Sequence, residues 1–279
     1  MLAWWQAVVL GVVEGVTEYL PVSSTGHLIL TASLLGLDGR DTKEALDAYL
    51  VVVQGGAILA VLWLYRERVA QIVRGLVGRD ARGMRLARNV ALAFIPSAVA
   101  GLLLNHVIKA ALFSAWPVLA ALAAGGVWMI WLGRRDDGEG DVTAMSWRTA
   151  LGIGLFQTLA LWPGTSRSMV TIGGGMLLGL SAVAAAEFSF LLGLPTLGAA
   201  CLHDLVGDLG HGGPSMFDQL GAGPVWLGFA VATVSAVLAV RWLVSFLTRH
   251  GLAPFGWYRI ALSAVLAVLI LSGALHIGG

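Results

Sequence analysis

The sequence predicts an all-α polytopic membrane protein built from two inverted repeats, each a re-entrant helical hairpin followed by three transmembrane helices. Three observations carry that prediction. Of the 279 residues, 58% are hydrophobic and only 12% charged, about half the charge of an ordinary soluble domain. Apolar runs recur along the whole length, several of them near the ~20 residues that cross a bilayer. The arginines cluster so that one orientation satisfies the positive-inside rule.

In chain order, a hairpin occupies residues 1–45, followed by spans near 46–65, 87–108 and 114–133. A loop over 134–148 leads to a second hairpin at 149–181 and spans near 182–203, 224–248 and 257–276. Six spans and two two-helix hairpins make about ten helices in a single integral domain over 1–279. Trp63, Tyr65, Trp116, Trp131, Trp226, Trp257 and Tyr258 fall near span ends, where aromatic rings meet lipid headgroups.

Charge sets the orientation. The connection from Arg66 to Arg88 holds seven arginines and is placed in the cytoplasm. Arg134, Arg135 and Arg148 mark a second inner segment, and Arg241, Arg249 and Arg259 bracket a third over 249–256. The 204–223 loop carries Asp204, Asp208 and Asp218 without Lys or Arg and is placed outside, as is 109–113. Thirteen of seventeen basic residues then face inward, with Arg40, Lys43 and Lys109 outside and Arg167 unassigned.

This tally closes only if residues 1–45 enter and leave on the outside and 149–181 on the inside. Each segment has a break suited to a re-entrant hairpin: Pro21 with VSSTG, and Pro163-Gly164-Thr165-Ser166. Irregular backbone at membrane depth needs protein or a water-filled cavity around it. GVVEGVTEYLPVSSTGH (11–27) resembles GIGLFQTLALWPGTSRSM (152–169), and FIPSAVAGLLL (94–104) resembles IALSAVLAVLI (260–270). A hairpin plus three spans is odd in crossings, so the halves are inverted, an architecture that puts the functional site where broken helices meet.

The polar residues of the breaks are the candidate site. Glu14 and Glu18 share a helix face at i, i+4. Held together in low dielectric, they call for a proton or a cation between them. Ser23, Ser24 and Thr25 are N-cap residues by type. His27 lies three residues past Ser24, so imidazole and hydroxyl can work as base and nucleophile. PGTSRSMVT (163–171) supplies Ser166, Ser168 and Thr171 as donors and Arg167 as an anion fork at a helix start, a cradle for phosphate. Gln54, beside Gly55 and Gly56, can hydrogen-bond the hairpins. Glu187, just inside the cytoplasmic end of its span, reads as snorkelling or paired locally, and Gln157 as helix–helix glue. Together these groups describe phosphoryl chemistry in a membrane cavity.

Several functions are excluded. Cys201 is the only cysteine, so there is no intramolecular disulfide and no thiolate metal cage. No basic face suits nucleic acid. No Lys or Arg precedes Arg40, so the start lacks the basic region of a cleaved signal peptide.

These residues resemble the undecaprenyl-diphosphate phosphatase family, integral-membrane enzymes linked to bacitracin resistance. EGVTEYLPVSSTGH (14–27) is similar to the family's glutamate motif and following histidine, and LALWPGTSRSMVT (159–171) to its Pro-Gly-x-Ser-Arg-Ser-x-x-Thr motif. The likeness extends through YLVVVQGGAILAV (49–61) and AAEFSFLLGLP (185–195) almost to the C-terminus. It implies hydrolysis of the C55 prenyl diphosphate to the monophosphate and inorganic phosphate, recycling a carrier for peptidoglycan and other cell-wall polymers. It also implies a divalent cation (Mg or Ca), a multi-pass place in the bacterial plasma membrane, and a site open to the outer, periplasmic side.

Carried over by position, Glu14 and Glu18 serve the metal or proton transfer. Ser24 is the nucleophile assisted by His27, or His27 is itself the nucleophile. Arg167 holds the phosphates, and Ser23, Thr25, Ser166, Ser168 and Thr171 line the pocket. The expected partners are the lipid substrate and membrane lipids, with a homodimer admitted by nothing that forbids it. The rival reading is a lipid-phosphate transporter or flippase using the same midplane site; the Ser24/His27 pair, which binding alone does not need, favours the enzyme.

Overall fold

The computed structural model describes residues 1–37, 43–112, 114–135, 138–210 and 214–273. Arg40, Asp136 and Asp137 lie outside the described residues, as do the side chains of Lys43 and Lys109. Among the described residues there are eleven α-helices and no strand, only one isolated bridge pairing Gly140 with Leu180.

The first hairpin is α1 (Trp4–Thr17) and α2 (Ser24–Leu34). Next come α3 (Lys43–Leu64), α4 (Arg66–Leu76), α5 (Ala81–Leu112) and α6 (Ala115–Leu132). The second hairpin is α7 (Trp147–Thr158), extended by one 3₁₀ turn (Leu159–Leu161), and α8 (Arg167–Leu177). It is followed by α9 (Ala182–Gly210), a π-helical turn (Phe217–Gly221) running into α10 (Ala222–His250), and α11 (Ala253–Leu271).

Six helices are long and apolar enough to cross a membrane: 45–64, 81–104, 115–132, 182–210, 217–250 and 253–271. The chain is a multi-pass membrane protein. By contrast, α1 with 14 residues and α8 with 11 reach only about 21 and 17 Å at 1.5 Å per residue, short of the ~30 Å apolar thickness. Trp63, Trp116, Trp226 and Trp257 each expose more than half of their surface, and Arg135 and Arg241 lie over the rings of Trp131 and Trp63. Such cation–aromatic pairs suit a headgroup layer.

Three expectations are corrected. The helix count exceeds ten because part of the arginine-rich connection is itself a helix, α4, whose Gly75 meets the backbone of Gly83 and Met84 in α5. The 204–223 and 249–256 loops shrink, since α9 runs to Gly210 and only Gly251 and Leu252 separate α10 from α11. Helices outlast the apolar runs, because backbone hydrogen bonds continue where the side chains turn polar. The match of 94–104 with 260–270 pairs α5, the second span of one half, with α11, the third span of the other, so it does not join equivalent elements.

The hairpins supply a better register. Ser23 (φ 75°) and Ser166 (φ 72°) are the two non-glycine residues with positive φ among those described, and each stands immediately before the second helix of its hairpin. Superposing them sets an offset of 143 residues, which aligns Gly11 with Gly154, Glu14 with Gln157, Ser24 with Arg167, and Thr25 with Ser168. Gly11 is pressed on the carbonyl of Gly228 in α10, and Gly154 on that of Ala93 in α5. Each first hairpin helix therefore packs on the second span of the opposite half, through a glycine at the same place.

The chain's contacts sort into two compact units, each drawing on both halves. Unit 1 holds residues 1–20, 24–64 and 193–241, and unit 2 holds 21–23, 65–192 and 242–279. In unit 1, Gly11 and Gly15 form a small-xxx-small face that brings α1 onto α10, where the Ser235 hydroxyl donates to the Gly11 carbonyl at 3.2 Å. In unit 2, α6 packs on α11 and α5 on α7. There Gln157 of α7 donates to the Ser97 hydroxyl of α5 at 2.6 Å, and Arg68 pairs with Glu187 at 2.6 Å.

Candidate active site

In unit 1 the site is assembled around Glu18. Glu14 is fully buried and Glu18 is 6% exposed. The helix of α1 carries on to Glu18, whose amide donates to the Glu14 carbonyl at 2.9 Å, so the two carboxylates stand one turn apart. The Ser24 hydroxyl, at the start of α2, donates to Glu18 Oε2 at 2.7 Å, and Gln54 Nε2 of α3 donates to the same oxygen at 3.2 Å. Sequence spacing pairs Ser24 with His27; in the structure the Ser24 proton is directed at Glu18. His27 lies further along α2, half-buried, and Thr25 is exposed in the first turn. Ser23, buried and left-handed, belongs with unit 2.

The chemistry of this donor set fits a hard divalent cation. Two buried carboxylates with hydroxyl and amide oxygens nearby are oxygen ligands, the type Mg²⁺ and Ca²⁺ take. Among the described residues no cluster of three or more His, Cys, Asp or Glu is assembled, so the protein offers a partial shell. Mg²⁺ in particular is commonly held by one or two carboxylates plus substrate phosphates and water.

In unit 2, Arg167 opens α8, and its Nη1 donates to the Ser189 carbonyl of α9 at 3.0 Å. Ser166 caps that helix, its Oγ accepting from the Met169 amide at 3.4 Å and sharing a hydrogen bond with Ser168 Oγ at 3.1 Å. Thr171 donates back to the Arg167 carbonyl at 2.8 Å and lies 2.6 Å from Ser189 Oγ. Ser168, Thr171 and Ser189 are fully buried. A cation on the first turn of a helix, with a cap holding that turn, is an anion-binding arrangement.

Two residues of these networks escape a reading from sequence. Ser189 orients both Arg167 and Thr171; the signal for it is a lone hydroxyl in the apolar run AAEFSFLLGLP. Arg259, counted above as a cytoplasmic bracket, is fully buried in α11. Its removal leaves twelve basic residues in the segments expected to face inward. The signal was that no other Lys, Arg, Asp or Glu follows Arg249.

Residues 7–265 match the family model described as bacitracin resistance protein BacA. An undecaprenyl-diphosphatase of Sorangium cellulosum is 51% identical over 94% of this chain and 85% of its own length. Undecaprenyl-diphosphatase 2 of Rhodospirillum rubrum is 45% identical over 96% and 95%, and undecaprenyl-diphosphatase 1 of Chromobacterium violaceum 46% over 94% of each. With a family match that runs from within the first hairpin to within the sixth span, the chain belongs to the BacA family of bacitracin resistance proteins.

Proposed function

We propose that this protein is a phosphatase that hydrolyses undecaprenyl diphosphate to undecaprenyl phosphate and inorganic phosphate, returning a lipid carrier to the synthesis of peptidoglycan and other wall polymers. The observation that carries the reading is the Ser24 hydroxyl bonded to a buried carboxylate, Glu18, at 2.7 Å. A membrane segment that only binds lipid has no need of an activated hydroxyl.

In the proposed reaction Ser24 Oγ attacks the distal phosphorus in line, and its proton passes to Glu18. The new Oγ–P bond forms as the bridging P–O bond breaks, and the lipid monophosphate leaves. Arg167, held by Ser189, takes charge from the equatorial oxygens, and the amides and hydroxyls at the start of α8 share that work. Water then attacks the phosphoserine, the serine oxygen recovers the proton held by Glu18, and inorganic phosphate departs; His27 is the relay for the water's proton. Glu14 and Glu18 Oε1 would hold a divalent cation, which when bound neutralises phosphate charge. Ser23, Thr25, Gln54, Ser166, Ser168 and Thr171 position these groups.

The setting of this activity is the bacterial plasma membrane, with the site open to the outer side. The arginine distribution supports the orientation, and membership of the family supports the membrane. Impermeant maleimide labelling of cysteines placed at Ser215 and Glu139, in a Cys201→Ser background, tests the orientation; labelling from outside at Glu139 reverses it. A homodimer is tested by light scattering of the purified protein.

The direct test of function is phosphate release from undecaprenyl diphosphate in detergent, with and without EDTA, beside Ser24→Ala and Arg167→Ala. Release that needs metal and is lost in both variants is expected. No release from folded protein supplied with Mg²⁺ or Ca²⁺ overturns the reading and leaves lipid-phosphate transport. An acid-labile phosphoenzyme would move the nucleophile from Ser24 to His27.

A further inference from the structure

Arg259 is among the largest fully buried side chains of the described residues. Its Nη2 donates to the carbonyls of Gly164 at 2.9 Å and Ala121 at 3.0 Å, its Nε to Leu122 at 3.3 Å, and its Nη1 to Pro21 at 3.5 Å. All four acceptors are backbone oxygens. A buried charge carries a desolvation cost of several kcal/mol, so a reason for this one must lie in what it holds.

What it holds is the pair of hairpin breaks. Pro21 and Gly164 are equivalent in the register set by the left-handed serines, each two residues before that serine and three before the residue that follows it, Ser24 in one hairpin and Arg167 in the other. Both carbonyls lie in the turn that follows a first hairpin helix, which ends at Thr17 in one hairpin and, after its 3₁₀ turn, at Leu161 in the other. The remaining two acceptors anchor the guanidinium on α6. Access to them comes from Gly125 and Gly126: a Cβ on Gly125 would lie 2.6 Å from Arg259 Nη2, and one on Gly126 3.3 Å from Arg259 Cβ. Gly126 and Gly256 also let α6 and α11 cross backbone to backbone.

We propose that Arg259 is a positioning residue that clamps the two hairpin breaks at equivalent carbonyls, setting the direction in which each chain enters the turn bearing Ser24 or Arg167. It acts through the backbone of Pro21 and Gly164, without touching the substrate. The consequence for turnover rests on the phosphatase reading above; the clamp itself does not. Lysine cannot replace it, because one ammonium offers its three donors at a point, whereas the planar guanidinium spreads five across carbonyls on three segments.

The test uses full-length protein in detergent, as Arg259→Lys and, in case that variant does not fold, Gly125→Ala, which keeps the charge but crowds the guanidinium. Hydrogen–deuterium exchange is read on peptides covering 18–26 and 159–168, with α10 as internal reference. Kinetics of phosphate release are read in parallel. Both break peptides are expected to exchange at least about tenfold faster while α10 is unchanged, as in local opening. Turnover should fall about 100-fold with KM within about threefold, the pattern of misplaced reacting groups rather than lost binding. Exchange unchanged at either break, exchange raised equally in α10, or a loss confined to KM overturns the proposal. If the wild-type protein releases no phosphate, the phosphatase reading fails by itself and the exchange data alone decide on the clamp.

Discussion

The two hairpins share a backbone and differ in charge. Each runs through a glycine-packed helix into a break, a left-handed serine and a second helix, and the carbonyl two residues before that serine is bound by the same arginine. On this common frame the first hairpin carries Glu14, Glu18 and Ser24, where the second carries Gln157, Leu161 and Arg167. Gln157 donates a hydrogen bond to Ser97, so the position held by a carboxylate in one hairpin joins two helices in the other. A duplicated hairpin supplies geometry twice, and chemistry comes from the few positions where the copies diverge.

The largest expected effect comes from removing the residue that differs most. If both hairpins serve one reaction, Ser24→Ala should reduce phosphate release by at least about 10³-fold, as loss of a nucleophile does. Arg167→Lys should reduce it about 10²-fold through loss of the fork. Full activity in either variant, measured on protein that elutes as wild type, would break the comparison.

Glu14→Gln copies the second hairpin into the first. It preserves shape and burial, so the melting temperature should hold, while phosphate release falls about 10–100-fold and the metal requirement shifts to higher concentration. Metal titration of the rate decides this; an unchanged titration would remove Glu14 from any cation site.

Smaller effects probe the shared backbone. At Ser23 and Ser166 a β-branched residue is strained by the positive φ. Ser23→Val and Ser166→Val should each cost about 1–3 kcal/mol. A loss at one position with none at the other, read by thermal unfolding, would argue against equivalent turns.

The smallest effect is a pH control outside both hairpins. Asp80 caps α5 with a carboxylate, as Ser166 caps α8 with a hydroxyl; Oδ1 accepts from the Arg82 and Gly83 amides, both at 2.9 Å. The Gly83 amide first, then that of Arg82 and the nearby Arg74 charge, hold this carboxyl below its ordinary range against a smaller opposing effect of desolvation. A lowered folded value means the cap contributes fully above the unfolded pKa of about 4 and is lost as pH falls through the folded value. Acid should therefore lower the melting temperature of the wild type slightly more than that of Asp80→Ser, and equal slopes would discount the cap.

How much was legible follows from the kind of signal. The six spans and both breaks were readable because apolar length and Pro/Gly punctuation are local properties. Glu14, Glu18, Ser24 and Arg167 stood out because charge and hydroxyls are conspicuous against 58% hydrophobic residues. The likeness of 11–27 to 152–169 sets Gly11 against Gly152, whereas the two left-handed serines set it against Gly154; the φ of two serines is not visible in residue type.

Sequence by itself determined that this chain holds six runs long and apolar enough to cross a membrane, that two polar breaks interrupt it, and that one is acidic and the other basic. These follow from transfer free energies, which are additive along a chain. Tertiary structure alone decided that Glu18 accepts the Ser24 hydrogen bond, that Ser189 orients Arg167, and that Arg259 is buried against the breaks. Each of these depends on a partner dozens to hundreds of residues away or on a turn's path. Hydrogen-bond direction is a property of folded geometry that residue type does not encode.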